Sequence, residues 1–511
     1  MFKRILIANR GEIAVRITRA CRELDIETVV IYSDADRHSL HVKYADYAYP
    51  IGAAPSTQSY LAMDKIIDAA KQSGADAIHP GYGFLGENSE FARKCRDNGI
   101  TFIGPSPEVI EQMGDKVKAR ATMKAVGIPV VPGSDKVLTS GEEVLEAAEA
   151  VGYPFMLKAV AGGGGKGLRL VRSAREVASA YRAVGSEAAS SFGDARLYLE
   201  KYLDRPRHIE IQILADQYGK VIHLHDRECS IQRRHQKIIE ECPAPALNDR
   251  MRRHIGRIAI QGARAVGYVG VGTLEFLLDR AENFYFLEMN TRLQVEHAVT
   301  ERVVGIDLVK AQIEVAAGGS LPWRQRHIKT TGHAIECRIY AEDPERDFMP
   351  CPGKIEGLRL PEGLGVRNDC GVYEGAEVPI YYDPMVAKLI IWGENRIEAI
   401  VRMRRALREY QIRGIKTNIP FHQWILRHSR FMAGDYDTRF IEDEYRFMQQ
   451  EEVYPHKDIA LASAAIAALH REQERTMQLI KKGTERTRWR DEAQRASLRQ
   501  VSSFPTRGWN R

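Results

Sequence analysis

The sequence contains no run of about 18 apolar residues, which excludes a helical membrane span. Its N-terminus, Met1-Phe2-Lys3-Arg4-Ile5-Leu6-Ile7-Ala8-Asn9-Arg10, has only a short apolar run, too brief for a signal-peptide core and better read as a first buried strand. Seven cysteines, at positions 21, 95, 229, 242, 337, 351 and 370, form no C-x-x-C pair. That excludes a zinc ribbon and argues against a disulfide framework. The expected setting is the cytoplasm. No G-x-G-x-x-G fingerprint follows the first strand, and no G-K-[ST] closes the glycine cluster, so neither a dinucleotide fold nor a P-loop is expected. The net charge of +6 does not mark a nucleic-acid binder. Residues 471–511 hold 11 basic and 5 acidic side chains, whereas the first 470 residues hold 63 of each. The basic character belongs to a tail.

Hydrophobic residues at 44% and charged residues at 28% describe an ordinary globular chain, and 511 residues allow about three to five domains. Residues 4–9, 28–32, 77–79 and 101–104 are strand-length apolar runs separated by stretches of 3.6-residue period. This alternation predicts a doubly wound parallel sheet over residues 1–114. Asn9-Arg10-Gly11-Glu12 then falls at the first strand-to-helix turn, where such sheets bind ligands, although a plain tight turn fits equally. From residue 115 a basic helix and a Pro-rich turn lead into a smaller α+β block, about residues 134–204, inside a domain that runs to residue 330. Residues 331–447, rich in glycine and short strands and ending in the helix Arg396–Glu409, read as a mixed α+β domain. Residues 448–511 read as an extension whose residues 458–482 carry apolar positions at helical spacing.

Three constellations carry chemistry. Lys158-Ala159-Val160-Ala161-Gly162-Gly163-Gly164-Gly165-Lys166-Gly167 follows a predicted strand at residues 153–157. Consecutive glycines let backbone N–H groups approach an anion, as a mobile lid over polyphosphate requires, whereas a loose surface loop would explain less of the flanking lysines. Glu275, in Gly272-Thr273-Leu274-Glu275-Phe276, and Glu288, in Phe286-Leu287-Glu288-Met289-Asn290, sit in apolar strand-like runs around a turn at residues 280–283. Pairing as a hairpin puts both carboxylates on one face, where Mg²⁺ bridging phosphates would compensate them and Asn290 would add an oxygen; the alternative is two exposed edge-strand acids. Arg292 in Asn290-Thr291-Arg292-Leu293-Gln294-Val295-Glu296-His297 offers a planar fork for a small anion, with Glu296 as a candidate general base. Gln232-Arg233-Arg234-His235-Gln236-Lys237 adds cations, although alone it reads as a solvated charge run.

Taken in order, Asn9-Arg10-Gly11-Glu12-Ile13-Ala14, His79-Pro80-Gly81-Tyr82-Gly83, Met113-Gly114-Asp115-Lys116, the glycine loop, Arg233-Arg234-His235-Gln236-Lys237 and residues 288–297 resemble biotin carboxylase of the ATP-grasp superfamily over roughly residues 1–447. One departure is visible: Ala161 stands where the family often has the first of five glycines.

The resemblance implies phosphorylation of bicarbonate by ATP to carboxyphosphate, then carboxylation of biotin N1 on a carrier. It implies that Lys116, Lys158, Gly164, Gly165, His208 and His235 line the nucleotide with Glu200, Lys201, Tyr202 and Leu203. It implies that Glu275, Glu288 and Asn290 hold Mg²⁺ or Mn²⁺, and that Lys237, Arg292, Gln294 and the Val295 backbone grip bicarbonate. Glu296 resembles the base, and Arg338 the residue that stabilises the biotin enolate. No Ala-Met-Lys-Met biotinylation string is present, and too few residues follow 447 for a carboxyltransferase. The implied protein is a homodimeric subunit of a split carboxylase, with biotin-bearing and carboxyltransferase partners and neither nucleic acid nor membrane as a partner. Acetyl-CoA, another acyl-CoA, pyruvate and 2-oxoglutarate all remain open as acceptors; the extension past residue 450 favours pyruvate or a larger acyl-CoA system. Competing readings are another ATP-grasp carboxylate–amine ligase and a non-catalytic nucleotide-binding regulator, against which Glu296 and Arg338 both speak.

Overall fold

A computed structural model describes residues 1–160, 167–451 and 466, without the side chains of Phe192 and residues 446–451. The glycine loop at residues 162–165, including Gly164 and Gly165, and the helix expected at residues 458–482 lie outside the described residues. Residues 1–443 form one compact unit and residues 444–511 a second.

Five parallel strands open the chain: β1 Arg4–Ile7, β2 Glu27–Ser33, β3 Tyr47–Gly52, β4 Ala77–His79 and β5 Thr101–Phe102, in spatial order β3-β2-β1-β4-β5. Reversal of strand order around β1 is the doubly wound arrangement, and alternate residues of β1 serve opposite layers. Ile5 and Ile7 pack with Ile13, Ile17 and Ala20 of α1 Gly11–Glu23, while Leu6 packs with Val29 and Ile31 in the other layer. β3 escaped the sequence reading because Tyr47-Ala48-Tyr49-Pro50 lacks an apolar run; it is an edge strand, where proline is tolerated.

α2 Lys116–Ala125 is capped by Asp115, whose carboxylate accepts from the N–H groups of Val117 and Lys118. Next comes a small layer made of α3 Gly141–Val151, α4 Ala174–Phe192 and the sheet β7-β6-β8, where β6 is Phe155–Ala159, β7 Leu168–Val171 and β8 Leu197–Lys201. It has its own core, including Val144, Phe155, Leu157, Val177, Val184 and Leu199.

The remaining large strands are β9 Arg207–Ala215, β10 Val221–Arg233, β11 Gln236–Cys242, β12 Gly270–Leu278, β13 Phe284–Asn290, β14 His333–Tyr340, β15 Val366–Cys370 and β16 Met385–Gly393. They make one sheet in the order β13-β12-β9-β10-β11-β14-β16-β15. The sheet therefore runs through the boundary expected at residue 330, because β11 pairs with β14 from Ile239↔Cys337 to Cys242↔Ala334. Ile209, Ile211 and Ile213 of β9 bury one face against Ile255, Ala259 and Ala263 of α5 Asp249–Ala265. α6 His297–Val304 packs on β14 and β16, which in turn carry α7 Arg396–Glu409. The third segment does not end in α7, as expected from the sequence; β-strand Gln411–Arg413 and helices Ile419–Ile425, Ser429–Ala433 and Phe440–Glu451 follow. The first two of these helices are short, with too few turns to display a period.

A buried ion cluster ties α7 and Tyr436 to the sheet. Glu241 of β11 accepts from Arg396 Nε at 2.7 Å and Nη2 at 3.0 Å and from the Tyr436 hydroxyl, and lies 2.6 Å from His333 Nε2. Burial favours the neutral acid, but the His333 hydrogen bond and the Arg396 charge outweigh it and hold the carboxyl at about 2. A depressed carboxyl contributes stability that is fully present above its unfolded pKa and lost as pH falls through its folded one. Glu241→Gln should therefore cost about 3 kcal/mol at neutral pH, with the deficit shrinking between roughly pH 4.5 and 2. Urea midpoints measured against pH check this; a deficit independent of pH would contradict it.

Candidate active site

Four directly paired residues form a row across the large sheet: Arg227 of β10 opposes Glu210 of β9, Glu210 opposes Glu275 of β12, and Glu275 opposes Glu288 of β13. Like charges directly across strands repel, so three carboxylates in line require cations. Lys237 of β11 supplies the first. Its ammonium donates to Glu275 Oε1 at 2.9 Å, to Glu296 Oε1 at 2.8 Å and to Glu210. Burial alone would lower that ammonium's pKa, but the three carboxylates drive it well above the ordinary lysine range. Arg227, fully buried, donates to Glu210, to Gln212 at 2.7 Å, to Thr300 at 3.0 Å and to Gln294. At the outer end of the row, Lys116 at the start of α2 stands 3.4 Å from Glu288.

Glu275 is nearly saturated. Besides Lys237 it takes hydrogen bonds from Asn290 Nδ2 at 2.9 Å and Gln294 Nε2 at 2.7 Å, with His208 Nε2 at 2.8 Å. Lys237 and His208 overcome burial and hold its carboxyl far below the carboxylate range. His208 is pushed up in return, because the Glu275 charge exceeds the cost of burying the imidazolium. Glu296 immediately precedes α6 and is gripped from two sides, by Lys237 and by Arg338 Nη2 at 2.9 Å. Both cations hold it ionised well below the ordinary range despite burial. Arg338 also donates through Nε to Glu240 at 2.5 Å; burial lifts Glu240 to about 7 against that guanidinium.

The N-terminal sheet contributes from above. Glu87 accepts from the Thr291 N–H at 3.0 Å and from Arg292 Nε at 2.8 Å. Asn9 Nδ2 donates to the carbonyls of Pro80 and Tyr82 at 2.7 and 2.8 Å, and Arg10 forms a fork on Asp36 at 2.6 and 2.8 Å. The Asn9–Arg10 turn thus spends its polar side chains on shaping the neighbouring loop. Gly81 is required there: its φ is +63°, and a Cβ would meet Asn9 Nδ2 at 2.8 Å.

The donor set fits a hard divalent cation at Glu275 and Glu288, two carboxylates facing each other across a hairpin with lysines beside them. Asn290 presents Oδ1 to Arg292 Nη2 at 2.8 Å and Nδ2 to Glu275, so its oxygen is engaged by a guanidinium. Ligating atoms of His208, Glu210 and Glu275 also cluster within 4.8 Å, but Lys237 bonds to both acids and provides the positive charge.

Comparison with known proteins places this geometry. Residues 1–110 match the family model described as biotin carboxylase, N-terminal domain; residues 115–324 match carbamoyl-phosphate synthase L chain, ATP binding domain; and residues 336–443 match biotin carboxylase C-terminal domain. The chain is 54% identical over 446 residues to biotin carboxylase of Halalkalibacterium halodurans, covering 87% of this chain and 98% of that one. The chain belongs to the biotin carboxylase family. A pyruvate carboxylase subunit from Methanothermobacter thermautotrophicus is also 54% identical over 446 residues, covering 87% of this chain and 90% of that one. Among solved structures, the biotin carboxylase domain dimer of Hydrogenobacter thermophilus 2-oxoglutarate carboxylase, in complex with MgADP, ADP and bicarbonate, superimposes with a TM-score of 0.86. It is 48% identical and covers 88% of this chain and 100% of that one.

Of the residues singled out from sequence, this biotin carboxylase brings Lys237, Glu275, Gln294, Glu296, Asn290, Arg292, Arg338 and His208 into one bonded network. Lys116 and Glu288 pair at its edge. Lys158 and Glu200 pair in the smaller sheet, where Arg120 Nη1 also donates to Glu200 at 2.7 Å. Glu200 is therefore buried against two cations, while Lys201, Tyr202 and Leu203 continue at the strand end, half-buried. His235 is exposed on the β10–β11 turn with φ of +64°. Sequence reading missed Glu210, Arg227, Glu240 and Glu87. The first had a signal, since His208, Glu210 and Gln212 alternate with isoleucines along β9; period two identifies a polar face without saying that it is roofed.

Proposed function

We propose that this chain is the biotin carboxylase subunit of a split carboxylase, consuming ATP and bicarbonate to carboxylate biotin on a carrier. The observation that carries this reading is Glu296 held between Lys237, which belongs to the carboxylate row, and Arg338 of β14.

In the proposed sequence bicarbonate enters beside Lys237, Arg292, Gln294 and the Val295 backbone. The two cations then exchange carboxylate partners for the substrate. Glu296, freed from part of its pairing, becomes basic enough to take the bicarbonate proton; the bicarbonate oxygen attacks the γ-phosphorus of ATP, the bond to the β,γ-bridging oxygen breaks, and ADP leaves carboxyphosphate behind. Lys116, Lys158, His208 and His235 would contact the nucleotide together with Glu200 and residues 201–203, and the glycines of the loop, Gly164 and Gly165, are assigned to it from the family resemblance. Carboxyphosphate then releases CO₂ and phosphate. The released phosphate takes the proton of biotin N1, Arg338 balances the charge that develops on the ureido oxygen, and N1 forms its bond to the carbon of CO₂. Phosphoryl transfer needs positioning and charge compensation more than covalent groups, and the network supplies both. A divalent cation held by Glu275 and Glu288, with Asn290 if its amide reverses, supplies charge neutralisation at the phosphates.

The reading includes a homodimer and a separate biotin-bearing subunit. Glu288→Gln should raise the Mg²⁺ or Mn²⁺ concentration for half-maximal rate about tenfold and leave the fold intact, because its present partner, Lys116, is half-exposed. An unchanged metal titration would remove Glu288 from the metal site. ADP formation that depends on bicarbonate and rises with free biotin tests the function itself. Turnover that needs an amine and ignores both would favour a carboxylate–amine ligase.

A further inference from the structure

Lys388 lies in the middle of β16 with no exposed surface, directly opposite Arg338 on β14 and opposite Asp369 on β15. A lysine in such a position requires partners; three lie within 4 Å, and the charge of buried Glu336 also acts on it. Its ammonium donates to the Val295 carbonyl at 2.6 Å, pairs with Glu12 of α1 at 3.3 Å and lies 3.9 Å from Asp369. Glu12 in turn accepts from the Tyr82 hydroxyl. One buried ammonium thus joins the large sheet, the first helix and the turn that contains Val295 and Glu296.

The Val295 carbonyl belongs to the peptide whose N–H is that of Glu296, and in a trans peptide the two point in opposite directions. Fixing the oxygen from behind fixes where the next amide and the Glu296 side chain begin. The preceding peptide is fixed in the same way. The Gln294 carbonyl accepts from the His297 N–H at 3.3 Å and lies 2.8 Å from His297 Nδ1, which selects the tautomer protonated there. That carbonyl shares its peptide with the Val295 N–H. Both peptides of the turn are therefore held at their carbonyl oxygens, opposite to their N–H groups.

We propose that Lys388 is a positioning residue for bicarbonate: by holding the Val295–Glu296 peptide it aims the anion-binding turn, without touching substrate or nucleotide. This rests on the carboxylation reading above. Lys388 is unlike Arg338, its neighbour on the same face, because its ammonium is spent on a backbone carbonyl and on Glu12.

Two variants separate aiming from charge balance. Lys388→Met keeps the length and removes the ammonium; Lys388→Met with Glu12→Gln also removes the nearest of the acids left behind, Glu336 and Asp369 being the others. Both should raise the KM for bicarbonate about tenfold or more in ATP turnover, with the KM for ATP within about twofold of wild type. The double variant should regain thermal stability lost by the single one, but not bicarbonate affinity. Recovery of the bicarbonate KM in the double variant would show that Lys388 only neutralises Glu12, and would overturn the proposal. Equal rises in both KM values, or failure of both variants to fold, would overturn it too by assigning Lys388 to general architecture. Wild type measured alongside keeps the readings distinct: bicarbonate-independent wild-type turnover refutes the carboxylase reading, whereas bicarbonate-dependent turnover with unaltered variants refutes only the role of Lys388.

Discussion

Glu296→Gln should lose about 10²–10⁴-fold in bicarbonate-dependent turnover, the range a positioned general base contributes, while nucleotide affinity stays within about twofold. Glu296 bonds to Lys237 and Arg338 and to neither of the lysines expected at the phosphates. Its replacement leaves Lys237 with Glu210 and Glu275, and Arg338 with Glu240, so the buried cations keep partners and the fold survives. Loss of nucleotide binding with turnover retained would assign Glu296 to the wrong substrate.

Lys237→Met should be more damaging because it harms stability and chemistry together. It strips the shared cation from Glu210, Glu275 and Glu296, all buried. Breaking a buried pair by removing one partner costs about 3–5 kcal/mol, since the remaining charge is left desolvated. The pH dependence has a definite sign. Without the ammonium, the carboxyls have folded pKa values raised relative to the wild-type protein, so the folded variant binds protons more readily. The deficit should be largest near pH 8 and smaller near pH 5, and turnover should be lost at both. Thermal melts of both proteins across that range check it. A deficit that grows toward acid would mean that Lys237 does not neutralise the cluster.

Much of this was legible in the sequence wherever one period governed one element. The hairpin holding Glu275 and Glu288 followed from two apolar runs around a turn, and the strands do pair in that register. Helix Arg396–Glu409 was readable from its own periodicity. What local pattern could not supply is who neutralises whom. Lys237 looked like one cation in a charged run, yet it bonds to three acids from β9, β12 and the turn before α6. Lys388 sits between apolar residues with no motif around it, and its partners are 19, 93 and 376 residues away in sequence. Arg227 and Glu210 have the same character: sequence reads each as a polar residue on a strand, and only the sheet order makes them a pair. The boundary at residue 330 was blurred for a related reason, since β14 joins β11 by strand pairing, which composition does not announce.

The central claim is that a bicarbonate oxygen attacks the γ-phosphorus beside Glu296, and isotope transfer tests it most directly. The protein is incubated with ATP, Mg²⁺, free biotin and ¹⁸O-bicarbonate, and the phosphate released is analysed by mass. Carboxyphosphate cleaves to CO₂ and phosphate with its bridging oxygen retained by phosphorus, so each phosphate should carry one ¹⁸O from bicarbonate. Phosphate with no label above that of solvent exchange would mean that water or another acceptor takes the phosphoryl group, and would contradict the account.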